Sequence, residues 1–473
     1  MTRKIGTCLR QSFRWQQARG LSFTPRIRAS NPLLAPSGIS INAGRLMETL
    51  HESCAWGAAY FADEPQDESR ARSGMARLAL SDEDAAVRAW LARQVEAVGC
   101  TLVTDKMGNM FARMAGSRGS PAPMTAMGSH LDTQPHGGRY DGILGIVAAL
   151  EVLRSLREHG RRPEFDIGLV NWTNEEGARF PRSMVSSAVW AGDISLDDAW
   201  ALPDIANPAA TLGSELARHG LIGSLECSHD PLRGFPLAAH FELHIEQGPV
   251  LEAAGRRVGV VKGSQAYRWF TVQVTGRAAH TGTTPFEMRS DPVLAAANMI
   301  AASHEVARCH GALASTGVLK LPAASSTNTI ATAVTFTLDI RHPDDDVLDL
   351  VQAECFEAFD KACTSPGGKS VDLNYTLDTN SPAAHFDMTC IRAIEMAAEN
   401  LVGSDGWQHI TSGAGHDTVC TSKVCPSAMI FVPCRDGVSH HPEEFCTPQD
   451  CALGAQALLE AVLHYDQMRV HGI

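Results

Sequence analysis

Between Ala122 and Glu176 the sequence runs strand, helix, strand, and that order constrains the fold more than any other feature. "APMTAMGSHLDT" (122–133) reads as a buried strand, "GILGIVAALEVLRSLREHG" (142–160) as a buried helix and "EFDIGLVNWTNEE" (164–176) as the next strand. Strand, helix, strand at this spacing predicts a parallel α/β sheet, whose functional groups gather at the carboxyl ends of the strands. Upstream, "SDEDAAVRAWLARQVEAVG" (81–99) predicts a helix, with Ser81 as N-cap, Glu83 and Asp84 in the first turn and Gly99 closing it. "TLVTD" and "GNMFARM" read as short strands, a helical stretch is expected near 207–227, and "LAAHFELHIEQGPVLE" (237–252) runs from a strand into a turn.

The pattern then changes. "RWFTVQVTG" (268–276) alternates like an antiparallel strand, and a long helix follows over 291–311. Strands "STGVLKL" and "ATAVTFTLDIR", a helix over 344–363 and the strand "SVDLNYTL" complete a βαββαβ order, which is ferredoxin-like. The expected organisation is an α/β catalytic body in two parts, 43–254 and 378–473, interrupted by a compact unit over 255–377. The second part opens with a helix over 385–402 and carries the core strand "PSAMIFVP".

The first thirty residues stand apart, with seven basic residues and no acidic one; the first acidic residue is Glu48. Ile5, Leu9 and Phe13 fall at helical spacing among arginines, the pattern of a mitochondrial transit peptide or of a plain basic tail. Residues 1–42 are therefore read as a leader, and the compartment as mitochondrial matrix or cytoplasm. A net charge of −13 disfavours a nucleic-acid partner, which needs a basic face. No apolar run reaches the roughly 18 residues of a membrane span. Thirteen scattered cysteines without a CxxC pair favour a reducing compartment over a disulfide framework or zinc ribbon.

Several polar groups fall at predicted strand ends. His130 and Asp132 form H-x-D, either a polar turn or an imidazole ligand beside a carboxylate. Asp141 precedes a helix, as an N-cap or as a ligand. Glu175 and Glu176 end a strand, as a solvated loop or as a ligand beside a general base. His244 ends a further strand, and His440 and His441 follow another. Each has a bland reading alone. Together they offer nitrogen and oxygen donors from five places on one α/β layer. Such a set suits a pair of zinc ions roughly 3.5–4 Å apart, with a glutamate taking a proton from an acidified water. This is chemistry for hydrolysing an amide-like bond.

The segments "GSHLDT…GGRYDG", "NEEGARF", "ELHIEQGPVLE", "GRAAHTGTTP", "SGAGHD" and "SHHPEE" resemble the amidase, hydantoinase and carbamoylase family of dinuclear-zinc amidohydrolases, in order from about residue 43 to 470. The resemblance implies a zinc-exopeptidase-like α/β domain with an inserted ferredoxin-like lid and dimerisation domain. It implies one metal on His130, Asp141 and His244, and another on Asp141, Glu176 and His440. The metals would be Zn2+, or Mn2+ or Co2+. Glu175 would be the general base, Asp132 the partner of His130, and His441 a neighbour rather than a ligand. His280 would polarise the scissile carbonyl, reaching across from a second subunit of a homodimer. Asn328 and Arg341 would grip a substrate carboxylate, with Gln265 and His416 as further contacts.

The implied reaction is hydrolysis of an N-carbamoyl amino acid, β-ureidopropionate or an N-carbamoyl-L-amino acid, to amino acid, CO2 and NH3. Alternatives on the same metals are allantoate hydrolysis and aminoacylase or exopeptidase activity. His244, where peptidase relatives tend to carry a carboxylate, counts against the latter. A non-catalytic scaffold predicts eroded ligands, and all of them are present. The chain departs from its relatives at "NTIAT", where a Pro-Gly turn is common, and at Thr281 and Phe286, where Ala and Met are common; these bear on the substrate and not on the metals.

Overall fold

A computed structural model describes residues 37–59, 74–119, 122–323, 325–364 and 368–472. Residues 1–36, most of the basic leader, lie outside it. The body is built on a nine-stranded mixed sheet. From one edge its strands are Thr101–Thr104, Met110–Met114, Ile167–Trp172, Met124–His130, Leu237–Ile245, Ser427–Val432 and Val258–Ser264. Ala384–His385 and Trp407–Ser412 both pair with the last of these. Ile167–Trp172, Met124–His130, Leu237–Ile245 and Ser427–Val432 run parallel side by side, so their carboxyl ends share one rim.

The predicted strand–helix–strand unit is present as Met124–His130, Ile143–Glu158 and Ile167–Trp172, with both strands wholly buried. The helix lies close on the sheet at Gly145, where a Cβ would sit 2.5 Å from the Leu243 carbonyl oxygen. Ser81 caps Asp82–Ala97 by accepting the Asp84 amide at 3.2 Å. The helical stretch expected near 207–227 shrinks to Leu212–Arg218. Gly220, in the left-handed region, ends it, and Leu225 then bridges to Asp105 as extended chain.

The second unit has the expected βαββαβ order. Its strands lie in the order Leu313–Ser315, Ala333–His342, Ala266–Thr275, Asp372–Ser381, all antiparallel, which is the ferredoxin-like arrangement. The expected 315–321 strand is instead two short pieces, Leu313–Ser315 and Leu319–Lys320, both on Ala333–His342. Helices Pro292–Cys309 and Asp345–Cys363 cover one face. Phe270, Val272, Val274, Phe336, Leu338 and Phe359 form part of its separate core. Val258–Ser264, within the expected 255–377 segment, belongs to the large sheet. The chain leaves that sheet at Ser264 and returns at Ala384, and these two residues pair with each other. Among the described residues, no helix is long and apolar enough to cross a membrane.

Candidate metal centre

The shared rim of the four parallel strands carries the candidate ligands. Met124–His130 ends on His130, and Ile167–Trp172 runs directly into Glu175 and Glu176. Leu237–Ile245 presents His244, and the loop after Ser427–Val432 presents His440. Asp141 precedes the helix Ile143–Glu158 without capping it: the N-cap is Gly142, at φ +65°, with no side-chain cap bond. Its carboxylate turns instead to the histidines. Oδ1 lies 3.0 Å from His244 Nε2 and 3.5 Å from His130 Nε2, and Oδ2 lies 3.2 Å from His440 Nε2.

Two groups of donors result, each with its ligand atoms within 4.8 Å of one another: His130, Asp141, His244 and Asp141, Glu176, His440. The set fits divalent cations on three grounds. Its donors are nitrogen and oxygen only. His130 Nδ1 and His244 Nδ1 lie 2.9 Å from the carbonyl oxygens of Asp132 and Ile245, so each Nδ1 donates there and Nε2 is the nitrogen left facing Asp141, able to bind a cation once it gives up its proton. Finally, the buried carboxyls of Asp132, Asp141 and Glu175 all lie within 4.0 Å of the His130 ring, a concentration of carboxyl groups whose ionised forms a cation would stabilise.

The electrostatics agree. Burial pulls the Asp141 carboxyl up, but His244, His130 and His440 outweigh it and hold it well below the ordinary carboxylate range. Glu175 is pushed well above that range, first by burial. Glu176 is raised to about 7 by burial and by Asp141. The hydrogen bond to Asp141 raises His440 to about 9. In His416, burial and the nearby His244, whose ring centroid is 4.6 Å away, lower the pKa to about 3.

Glu175 Oε2 stands 3.5 Å from His130 Nε2, beside the donor groups but outside them. The Asp132 carboxylate is 4.0 Å from His130 Nδ1, which is nearer the Asp132 carbonyl; its oxygens accept the amides of Glu175 (3.3 Å) and Glu176 (3.2 Å). Asp132 thus joins the H-x-D strand end to the glutamate pair. A cavity of about 220 Å³ opens over the centre, walled by Glu175, Met184 and His416 on one side and by Tyr267, Trp269 and Arg341 of the second sheet on the other. Gln265 donates to the Gly413 carbonyl at 3.2 Å, one residue before the lining residue Ala414, but does not itself line the cavity. His280 lies elsewhere, on the small pair Ala279–His280 and Thr329–Ile330, and Asn328 just before the second of these, where its carbonyl accepts the Thr281 amide. Neither lines the cavity. His136 and His441 are exposed and outside both donor groups.

Four side chains that the motifs did not single out bear on the centre. Gln247 Nε2 donates to Asp141 Oδ2 at 2.8 Å, and Gln134 Nε2 to Glu176 Oε2 at 2.7 Å. Ser439 Oγ lies 3.2 Å from Asp141 Oδ2, and Glu444 Oε1 accepts the Asp141 amide. The visible signal was position: Gln134 follows H-x-D-T, Gln247 follows H-I-E, and Ser439 and Glu444 bracket the His440 segment. Asn174, Met184, Gln247 and His440 also share a left-handed backbone, unusual for non-glycine residues and concentrated at this rim.

Residues 126–464 match the model of peptidase family M20/M25/M40. The chain belongs to this family. It is similar to an N-carbamoyl-L-amino-acid amidohydrolase of Rhizobium meliloti, 36% identical over 89% of this chain and 96% of the relative. It is similar to an allantoate amidohydrolase of Bacillus subtilis (strain 168), 30% identical over 82% of this chain and 92% of the relative. Among solved structures it is similar to a hydantoinase/carbamoylase family amidase from Burkholderia multivorans, 38% identical, with a TM-score of 0.81 over 90% of this chain and 98% of that one. The hydantoinase/carbamoylase resemblance read from the motifs is therefore borne out, and so is the α/β fold class.

Proposed function

We propose that this M20-family chain hydrolyses the carbamoyl C–N bond of an N-carbamoyl amino acid, with water, to the amino acid, CO2 and NH3. The observation that carries this reading is Glu175 standing beside two donor groups that share Asp141, under a cavity whose far wall presents Arg341. Its relatives include an N-carbamoyl-L-amino-acid amidohydrolase.

His130, Asp141 and His244 would hold one divalent ion and Asp141, Glu176 and His440 another, Zn2+ foremost. Such ions supply charge that polarises the carbamoyl oxygen and acidifies a water. Glu175 then takes the proton of the attacking water and delivers it to the departing nitrogen. Its burial, which lifts the carboxyl well above its ordinary range, suits a group that both accepts and returns a proton. Arg341 would hold the substrate carboxylate at the opposite end of the cavity, with His416 in its wall and Gln265 behind Gly413 as further contacts. His280 and Asn328, away from the cavity of their own chain, would complete the site of a second copy in a homodimer built through the second sheet, which would act as lid.

Allantoate hydrolysis is the second reading, supported by the Bacillus subtilis relative. Met184 and the ring faces of Tyr267 and Trp269 on the cavity wall favour the first, since they offer apolar surface to an amino-acid side chain. Ammonia release decides, measured from N-carbamoyl-β-alanine, an N-carbamoyl-L-α-amino acid and allantoate, before and after metal removal. Release from a carbamoyl amino acid that chelation abolishes is expected. No release from either carbamoyl substrate with metal present overturns the reading.

A further inference from the structure

The two donor groups are held very differently. His130 and His244 are 1% exposed, and each ring is fixed by its Nδ1 on a backbone carbonyl at a strand end. His440 sits in a loop, its side chain 51% exposed, on a backbone at φ +55°. Something other than the sheet must keep that loop in register with Asp141.

Glu444 spans the gap. Its side chain is buried, and Oε1 accepts the amides of Tyr140 (2.9 Å) and Asp141 (3.1 Å). Oε2 is 2.9 Å from the Ser439 hydroxyl, which itself lies 3.2 Å from Asp141 Oδ2. The Glu444 amide donates to the His441 carbonyl at 3.0 Å, closing the turn that directly follows His440. Gly138 makes room for this clamp, since a Cβ there would lie 2.2 Å from Glu444 Oε1. One carboxylate thus ties the segment that ends on Asp141 to the loop that begins at Ser439.

We propose that Glu444 is a positioning residue that sets the affinity of the Asp141–Glu176–His440 half for its ion and leaves the His130–Asp141–His244 half largely to the sheet. This rests on the two-metal reading above. Losing the carboxylate frees the loop, whereas Asp141 keeps its Oδ1 against the sheet-held His130 and His244; supporting partners of this kind typically alter metal affinity by about 10- to 100-fold.

The test is titration of the metal-stripped full-length chain with Zn2+ against a chromophoric chelator. His440→Ala, which deletes a loop ligand, marks the binding step that belongs to the loop half. Glu444→Ala should weaken that step by about tenfold or more and the other by less than about threefold. Its turnover should recover as Zn2+ is raised, which a merely structural defect would not show. Glu444→Gln keeps an oxygen for the two amides and should stay within about threefold of the parent at both steps. Ser439→Ala removes the hydroxyl link without touching those amides, and should weaken the loop step alone. It decides the matter if Glu444→Ala does not fold, and unchanged affinities in Ser439→Ala then overturn the proposal. Equal weakening of both steps in Glu444→Ala, or of neither, also overturns it. A parent chain that binds no Zn2+ overturns the two-metal reading itself.

Discussion

Asp339 holds the Arg341 guanidinium with both of its carboxylate oxygens, Nε at 3.0 Å from Oδ1 and Nη2 at 2.8 Å from Oδ2. The two residues share one face of the strand Ala333–His342, and Tyr267, the cross-strand neighbour of Arg341, lies under the guanidinium at 5.2 Å. Nη1 reaches the Gly413 carbonyl at 3.0 Å. The cation is therefore aimed before any substrate arrives. Arg341→Lys loses the planar fork and should raise KM by about 10- to 100-fold with a smaller effect on kcat. Asp339→Asn should give a milder shift of the same kind. Steady-state kinetics checks both, and a fall in kcat at constant KM would remove Arg341 from substrate binding.

Glu175→Gln keeps the shape of the side chain but cannot take a proton. About a thousandfold loss in kcat is expected. Bound metal should be unchanged, because Glu175 stands outside both donor groups. Elemental analysis alongside kinetics separates this from a loss of metal.

Gly142 is indispensable to the His130 ring. A Cβ there would lie 2.3 Å from His130 Cε1, on a backbone at φ +65°. Gly142→Ala should destabilise the fold by about 1–3 kcal/mol and lower the metal content together. Thermal unfolding and elemental analysis check the pair; a normal metal content would mean that the ring has room to move.

His240 gives the fold an acid-sensitive point below the site. Trp172 Nε1 donates to its Nε2 at 3.3 Å, so Nδ1 carries the proton toward Thr418 Oγ1 at 3.2 Å, and burial lowers the ring pKa to about 4. A histidine depressed in the folded state is protonated more readily in the unfolded chain. Its contribution is intact above about 6.5 and is lost as pH falls toward 4, on the order of 3 kcal/mol over that window. Denaturant unfolding of His240→Gln should show a shallower acid limb than the parent. Parallel limbs would mean that other groups set the acid sensitivity.

The parallel core and the ferredoxin-like unit were legible because their apolar periods are long and their strands buried. The donor set was legible for a related reason, since each ligand ends or follows a strand and strand ends are where patterns break. The partners that hold the ligands were not. Gln247 meets Asp141 across a separation of 106 residues, and Glu444 meets its amide across 303. Nothing local distinguishes such a side chain from an ordinary loop residue. Asp141 looked like a cap because its neighbours begin a helix; only the left-handed Gly142 shows that the cap lies one residue on.

The place of Ser427–Val432 in the large sheet has a consequence for how the molecule is made. That strand fills the slot between Leu237–Ile245 and Val258–Ser264, which precede it by more than 160 residues. During synthesis, the edge of Leu237–Ile245 must wait, unpaired, until the ribosome has passed residue 432. Messages cut short before that point yield an open sheet that is prone to aggregate, and no partial catalyst. One late segment, residues 427–440, both closes the sheet and delivers His440, so the sheet and the centre are completed in a single step.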